Sequence, residues 1–258
     1  MSQPSLSGSL EIYEECVQPA RARFAHGEWV TRVIGGELSP DELELFLLCF
    51  CALGVQMTAP VEGWIRRAGE RCLAAGLNEL GAALMAHARH EAGHDAMMVD
   101  DTRSLAARRR QAGRSVPLVE ALLAHPPTPG IQRYVQVHED VIAGPAPYAQ
   151  IAIEYEIERL SVTYGPGFIA RCVADLGADV KQCLSFVHDH VELDVGHTKF
   201  NARKLDQFLR QRPAALDDLV AAGSGALAAY DQFLDDALDL AFGMSTVAAP
   251  IRAVEAMS

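Results

Sequence analysis

HDHVELDVGH, residues 188 to 197, is the stretch on which the reading of this chain turns. His190, Asp194 and His197 are spaced i, i+4, i+7, which at about 100° per residue gathers all three within roughly 60° on one side of an α-helix. Two imidazoles and a carboxylate on one helix face read as metal ligands. His188 and Glu192 lie about 160° round from His190 and read as solvated or packed against a neighbour.

This helix is expected over about residues 180 to 211, stopped by Pro213. Before it, a long helix from 146 to about 175 carries Glu154, Glu156 and Glu158 and ends at Gly177. Glu154 and Glu158 share a face and Glu156 points about 160° away, so at most two of the three look at the core. Ser161 and Gly165 keep the Glu158 face small, which favours Glu158 over Glu154 as a ligand. Further back, LNELGAALMAHARHEAGHDAMMVDDTRSLAARRR reads as one helix running to about residue 112. It bears Glu91 and His94 at i, i+3, with His87 close to the same line and His90 about 100° round. His87 and Asn201 read as outer hydrogen-bonding partners of the ligands, and His90 as outer or surface. Glu91, His94, Glu158, His190, Asp194 and His197 together make three carboxylates and three imidazoles, a set that suits two iron or manganese ions in the core of a helical bundle.

The remaining segments are helical too. A helix over residues 9 to 26, interrupted or kinked near Pro19, is followed by another over 27 to 35 that Gly35 and Gly36 stop. Ser39, Pro40 and Glu42 form a capping box, and the helix they open, ELELFLLCFCALGVQM, is apolar nearly all round, as a helix in the middle of a bundle must be. It is expected to bend at Pro60 and run to about residue 74. Residues 113 to 130, broken repeatedly by Pro and Gly around one short apolar turn, form the expected loop or lid. A helix over 131 to 143 precedes GPAP, and a covering helix over 214 to 242 leads into a tail from 244 to 258. No run alternates with period two, so the fold class is all-α, and the absence of any repeat or long linker makes one domain over 1 to 258 the expectation.

Of 258 residues half are hydrophobic, and the formal net charge is -12. That charge argues against a nucleic acid or an anionic membrane surface as partner. The first fifteen residues lack a basic stretch followed by an apolar one, and no uncharged apolar run has spanning length, so a cytoplasmic protein is expected. Six cysteines without a Cys-x-x-Cys read as buried thiols.

The motifs, taken together, resemble those of the haem-oxygenase-like diiron oxidases and oxygenases. Glu91-x-x-His94 comes first, then Glu158 ahead of Leu160, Ser161, Tyr164, Gly165 and Pro166, then Ser185, Phe186 and His190-x-x-x-Asp194-x-x-His197. The resemblance spans roughly residues 20 to 210. It implies a single bundle of about seven core helices, usually a homodimer, that holds two iron ions (Fe2+/Fe3+) and uses dioxygen as co-substrate, with an external electron donor in some cases. Such proteins oxidise small molecules, often free amino acids or fatty acids, by desaturation, C–C cleavage, ring closure or N-oxygenation. The expected substrate is an amino acid or amine-bearing acid in specialised metabolism, with a fatty-acid decarboxylase as the nearby alternative. A metal-free enzyme of the thiaminase or cofactor-maturation kind would leave six ligands unused. Haem binding through His26 rests on a single early histidine, and a ferritin-like site would want Glu-x-x-His twice.

Overall fold

A computed structural model describes residues 8–247 of the chain. The Ser39 capping box forms as the sequence predicts: Glu42 N meets Ser39 Oγ at 3.4 Å and Ser39 N donates to Glu42 Oε2 at 2.9 Å. It opens the central helix, Pro40–Thr58, in which Leu43, Leu47, Leu48, Cys51 and Leu53 are fully buried. The helices are α1 (Ser9–Ala25), α2 (Pro40–Thr58), α3 (Val61–Ala74), α4 (Asn78–Ala88), α5 (His94–Gln111), α6 (Val119–Leu123), α7 (Pro129–Ala143), α8 (Gln150–Leu176), α9 (Ser185–Gln211) and α10 (Leu216–Val247). There is no strand among the described residues. Counting the pairs separated at Pro60 and at Gly93 as one bent helix each, and setting aside the one-turn α6, the described residues form seven rods.

Several boundaries differ from the sequence reading. Pro19 lies inside an unbroken α1. The expected helix over 27 to 35 is a π-helical turn, Val30–Ile34, and the α8 and α9 helices are each preceded by a 3-10 turn. α10 continues to Val247; the rest of the expected tail lies outside the described residues. The largest departure is in the expected helix over 77 to 112, which is broken in two between Ala88 and His94.

The buried apolar side chains of the described residues form one cluster drawn from nearly every helix. α2 and α3 contain a window long and apolar enough to cross a membrane, but 67% of it is buried inside the bundle, which is what its all-round apolarity serves. α8 packs closely on α9 because Gly165 has no side chain: a Cβ there would stand 2.3 Å from Val191 Cγ2. Two buried carboxylates are held by arginines. Glu44, fully buried on α2, is met by Arg108, by Arg109 at 3.0 Å and by Arg114 at 3.0 Å. Glu156 on α8 receives Arg21 Nε and Nη2 at 2.8 Å each and Tyr13 Oη at 3.1 Å. Glu156 therefore faces α1, away from Glu154 and Glu158, as the helix geometry predicts. Of the six cysteines, all free, five are buried and Cys16 is exposed.

Candidate metal centre

α9 starts where α5 dictates. Asp101, on α5 and 2% exposed, accepts from Ser185 N, Ser185 Oγ and Phe186 N, each at 2.9 Å, and so caps the first turn of α9 across the bundle. This fixes the register that brings His190 against His94, with ring centroids 4.6 Å apart. His190 Nδ1 lies 2.7 Å from Phe186 O, which can only accept, so Nδ1 carries the proton and Nε2 presents its lone pair to the site.

The break between α4 and α5 sets the second part of the geometry. Glu91 is on neither helix: α4 ends at Ala88, Gly93 at φ 90 breaks the helical path, and α5 begins at His94. The carboxylate of Glu91 is therefore swung between two sets of imidazoles rather than lying along one helix face. Its Oε2 is 3.0 Å from His94 Nδ1, and its Oε1 is 3.7 Å from both His87 Nε2 and His197 Nδ1. Glu158 Oε1 is 3.0 Å from His87 Nε2 and 3.7 Å from His197 Nδ1. Two groups of donor atoms result, each spanning no more than 4.8 Å: His87, Glu91, Glu158 and His197, and Glu91, His94 and His190. Glu91 belongs to both.

Five of the six residues expected from the sequence fall in these groups. Asp194 falls in neither, because its carboxylate turns to His197 Nδ1 at 3.4 Å, yet it is 2% exposed and faces the same cavity. His87, expected in the outer layer, is 3% exposed and sits within the first group. It lies in the last turn of α4, with Nε2 3.0 Å from Glu158 Oε1 and 3.7 Å from Glu91 Oε1. Glu154 is buried but turns toward Gln150, whose Nε2 is 2.6 Å away, and it joins neither group. His90 is exposed and stacks on His197, as the outer reading expected. Asn201, the other expected outer residue, donates to Glu158 Oε2 at 2.7 Å. His26 is exposed at the end of α1, and His188 and Glu192 are exposed on α9.

The donor set fits a cation. His87 Nε2, His94 Nδ1, His197 Nδ1, Glu158 Oε1 and Asp194 Oδ2 are all buried and, despite their proximity, none has a hydrogen-bond partner. Buried polar atoms left in this way cost about 1–3 kcal/mol each, and five in one place call for a ligand. The electrostatics agree. Burial pushes Glu158 well above the usual carboxylate range and Asp194 pushes it the same way. Burial also raises Glu154, to about 8, so that side chain is largely protonated at neutral pH. Burial works to raise Glu91 too, but the rings of His94, His87 and His190 outweigh it and hold its carboxyl below the usual range. His94 is raised by Glu91 and His197 by Asp194, whereas burial lowers His190.

A solved structure from Shewanella denitrificans, described as a domain of unknown function with a heme oxygenase-like fold, aligns with 97% of this chain and 100% of its own at a TM-score of 0.71 and 15% identity. The chain has a haem-oxygenase-like fold. A scan of protein-family models and a search of curated proteins find no match. Within the haem-oxygenase-like bundle the two donor groups occupy the middle, between α4, α5, α8 and α9, and an apolar cavity of about 140 Å3 opens beside them.

Proposed function

We propose that this chain is a non-haem diiron oxidase or oxygenase that uses dioxygen to oxidise a small molecule. The observation that carries the reading is the sharing of Glu91 between two compact donor groups whose buried atoms have no other partner. His87, Glu91, Glu158 and His197 would hold one ion and Glu91, His94 and His190 the other, with Asp194 beside His197 as a further carboxylate. Carboxylates and imidazoles without thiolate suit ferrous iron or manganese. Two ferrous ions there would bind and reduce dioxygen, the chemistry that oxidises an unactivated C–H bond or an amine.

The chain's own residues prepare the place. Asn201 fixes the Glu158 carboxylate, and the Phe186 carbonyl fixes the His190 ring, so these donors are oriented before any ion arrives. Gln150 bridges Glu154 Oε1 and His138 Nδ1, at 2.6 and 2.8 Å, and carries the hydrogen-bonded layer outward to Trp64, on which His138 stacks at 4.1 Å. The cavity beside these donors is largely apolar, with Phe46, Phe50 and Phe168 among its lining side chains.

The test is oxygen consumption by anaerobically loaded ferrous protein, with protein lacking Glu91 (Glu91→Ala) as control. Rapid uptake with a transient visible absorption, absent from the variant, is the expected result. Slow, featureless oxidation identical in both proteins would make the ions structural and refute the oxidase reading.

A further inference from the structure

Tyr134 and His138 stand four residues apart on α7, on one face of the helix, and both are buried. Tyr134 lines the cavity together with Glu91 and Glu154. Its ring lies 6.0 Å from that of Trp64 on α3, edge to face, and 4.7 Å from His138. His138 in turn lies flat on Trp64, with centroids 4.1 Å apart and planes 10° from parallel. Trp64 is 2% exposed, and its Nε1 donates to Glu139 Oε1 at 2.9 Å. Glu139 reaches solvent, where Arg67 Nη1 donates to its Oε2 at 3.0 Å. Tyr134, Trp64 and Glu139 therefore run in contact from the cavity wall to the surface.

Packing alone would be served by any apolar ring at these places. Phenol and indole differ from the phenylalanines elsewhere in the wall because each gives up a single electron readily. An oxidised indole becomes a strong acid and sheds its N–H proton, so it needs a base on that nitrogen, and Glu139 is one. His138 is held neutral by burial, so no positive charge on it opposes oxidation of the ring it covers. The chain's other tryptophan supplies the contrast. Trp29 also lines the cavity and meets Tyr164 at 5.4 Å, but its Nε1 is buried with no hydrogen-bond partner to take a proton.

We infer that Trp64 is a redox relay, passing single electrons inward through Tyr134 from a one-electron reductant of the ascorbate or reduced-flavin class that acts at the surface beside Glu139. The inference rests on the diiron reading for the site it serves and on the ring contacts for the route. When the site has reacted with dioxygen and lacks one electron, Trp64 supplies it, and the Nε1 proton passes to Glu139, leaving a neutral indolyl radical. The reductant then returns one electron to the ring and Glu139 returns the proton. Trp64 ends unchanged, the site has gained one electron, and the reductant has lost one.

The experiment uses the full chain loaded anaerobically with ferrous iron, its iron counted, then mixed with dioxygen in the absence of reductant and frozen at intervals for electron paramagnetic resonance. Wild type made with ring-deuterated tryptophan assigns the signal, and Trp64→Phe and Trp29→Phe are compared with it. A tryptophan radical should form in the wild type, persist in Trp29→Phe and be lost in Trp64→Phe, with iron content and dioxygen uptake kept in both variants. Glu139→Gln keeps an acceptor for the indole N–H but not a base, so its radical should remain protonated and its hyperfine pattern should change in D2O. Ascorbate in the second syringe should remove the wild-type radical. Protein that holds two irons and consumes dioxygen but gives no tryptophan radical, or one that Trp64→Phe retains, overturns the relay and leaves the diiron reading standing. Wild type that takes up no iron overturns both.

Discussion

Glu156 and Glu158, two residues apart on α8, should show opposite consequences when removed. Glu156 is 1% exposed and accepts two hydrogen bonds from Arg21 at 2.8 Å and one from Tyr13 at 3.1 Å. Glu156→Ala leaves a buried phenol without its acceptor and a mostly buried guanidinium with Glu14, 3.7 Å away, as its remaining carboxylate partner. Breaking a buried ion pair from one side costs about 3–5 kcal/mol, and the lower figure applies because the Arg21 side chain keeps 15% of its exposure. For a chain of this size ~3 kcal/mol corresponds to a fall in Tm of about 6–12 °C. Glu158, in contrast, is 7% exposed, lies among carboxylates that raise its pKa further, and has one hydrogen bond, from Asn201. In metal-free protein Glu158→Gln should leave Tm unchanged or higher, since it removes the need to bury an ionisable group. Thermal unfolding of metal-free protein, paired with metal counts after loading, reads both effects: Glu156→Ala loses stability and keeps its ions, and Glu158→Gln keeps stability and loses ions. A Glu156→Ala protein that unfolds at the wild-type temperature but binds no metal would refute the assignment of α8's two faces.

Gly93→Ala places a Cβ at φ 90, which costs about 1–2 kcal/mol, and because Gly93 sets the turn carrying Glu91 the same variant should bind metal more weakly, as a metal titration would reveal. Asn201→Leu removes the donor that orients Glu158, so metal affinity should fall about 10–100-fold while the far-ultraviolet dichroism of the helices stays unchanged. His138, 1% exposed and stacked on Trp64, is held neutral by burial, which lowers its pKa to about 3. Below its unfolded pKa of about 6.5 the unfolded chain binds a proton that the folded chain refuses, so stability is full above that value and falls with pH toward 3, by about 2 kcal/mol at pH 5. Denaturant unfolding of metal-free wild type and His138→Phe between pH 7 and 5 would check this, the variant lacking that share of the slope; parallel slopes would assign the acid sensitivity to other groups.

The all-α class, the central helix and the opposed faces of Glu156 and Glu158 were legible because each rests on a strong local rule: period 3.6, a capping box, and a rotation of about 100° per residue. The break at Gly93 was not. A single glycine inside a periodic pattern is compatible with a continuous helix, and only the packing of α5 against α9 through Asp101 and Ser185 makes the turn the better arrangement. That one missed turn accounts for Glu91, whereas His87 lies within α4 and its inward position is set by tertiary packing against Glu158. Glu91 stands between the two donor groups instead of along a helix, and His87 comes inside instead of beside. Asp194 fell on the expected face of α9, but helix geometry fixes a face and not a side-chain direction, and its turn toward His197 is a tertiary choice.

The shared carboxylate is the centre of the account, and counting ions tests it most directly. Full-length protein loaded anaerobically with ferrous iron and desalted should hold close to two ions per chain by mass spectrometry, and Glu91→Ala should hold none or a small fraction, because both groups lose a donor at once. A wild type that saturates at one ion, or a Glu91→Ala protein that still holds two, would contradict it.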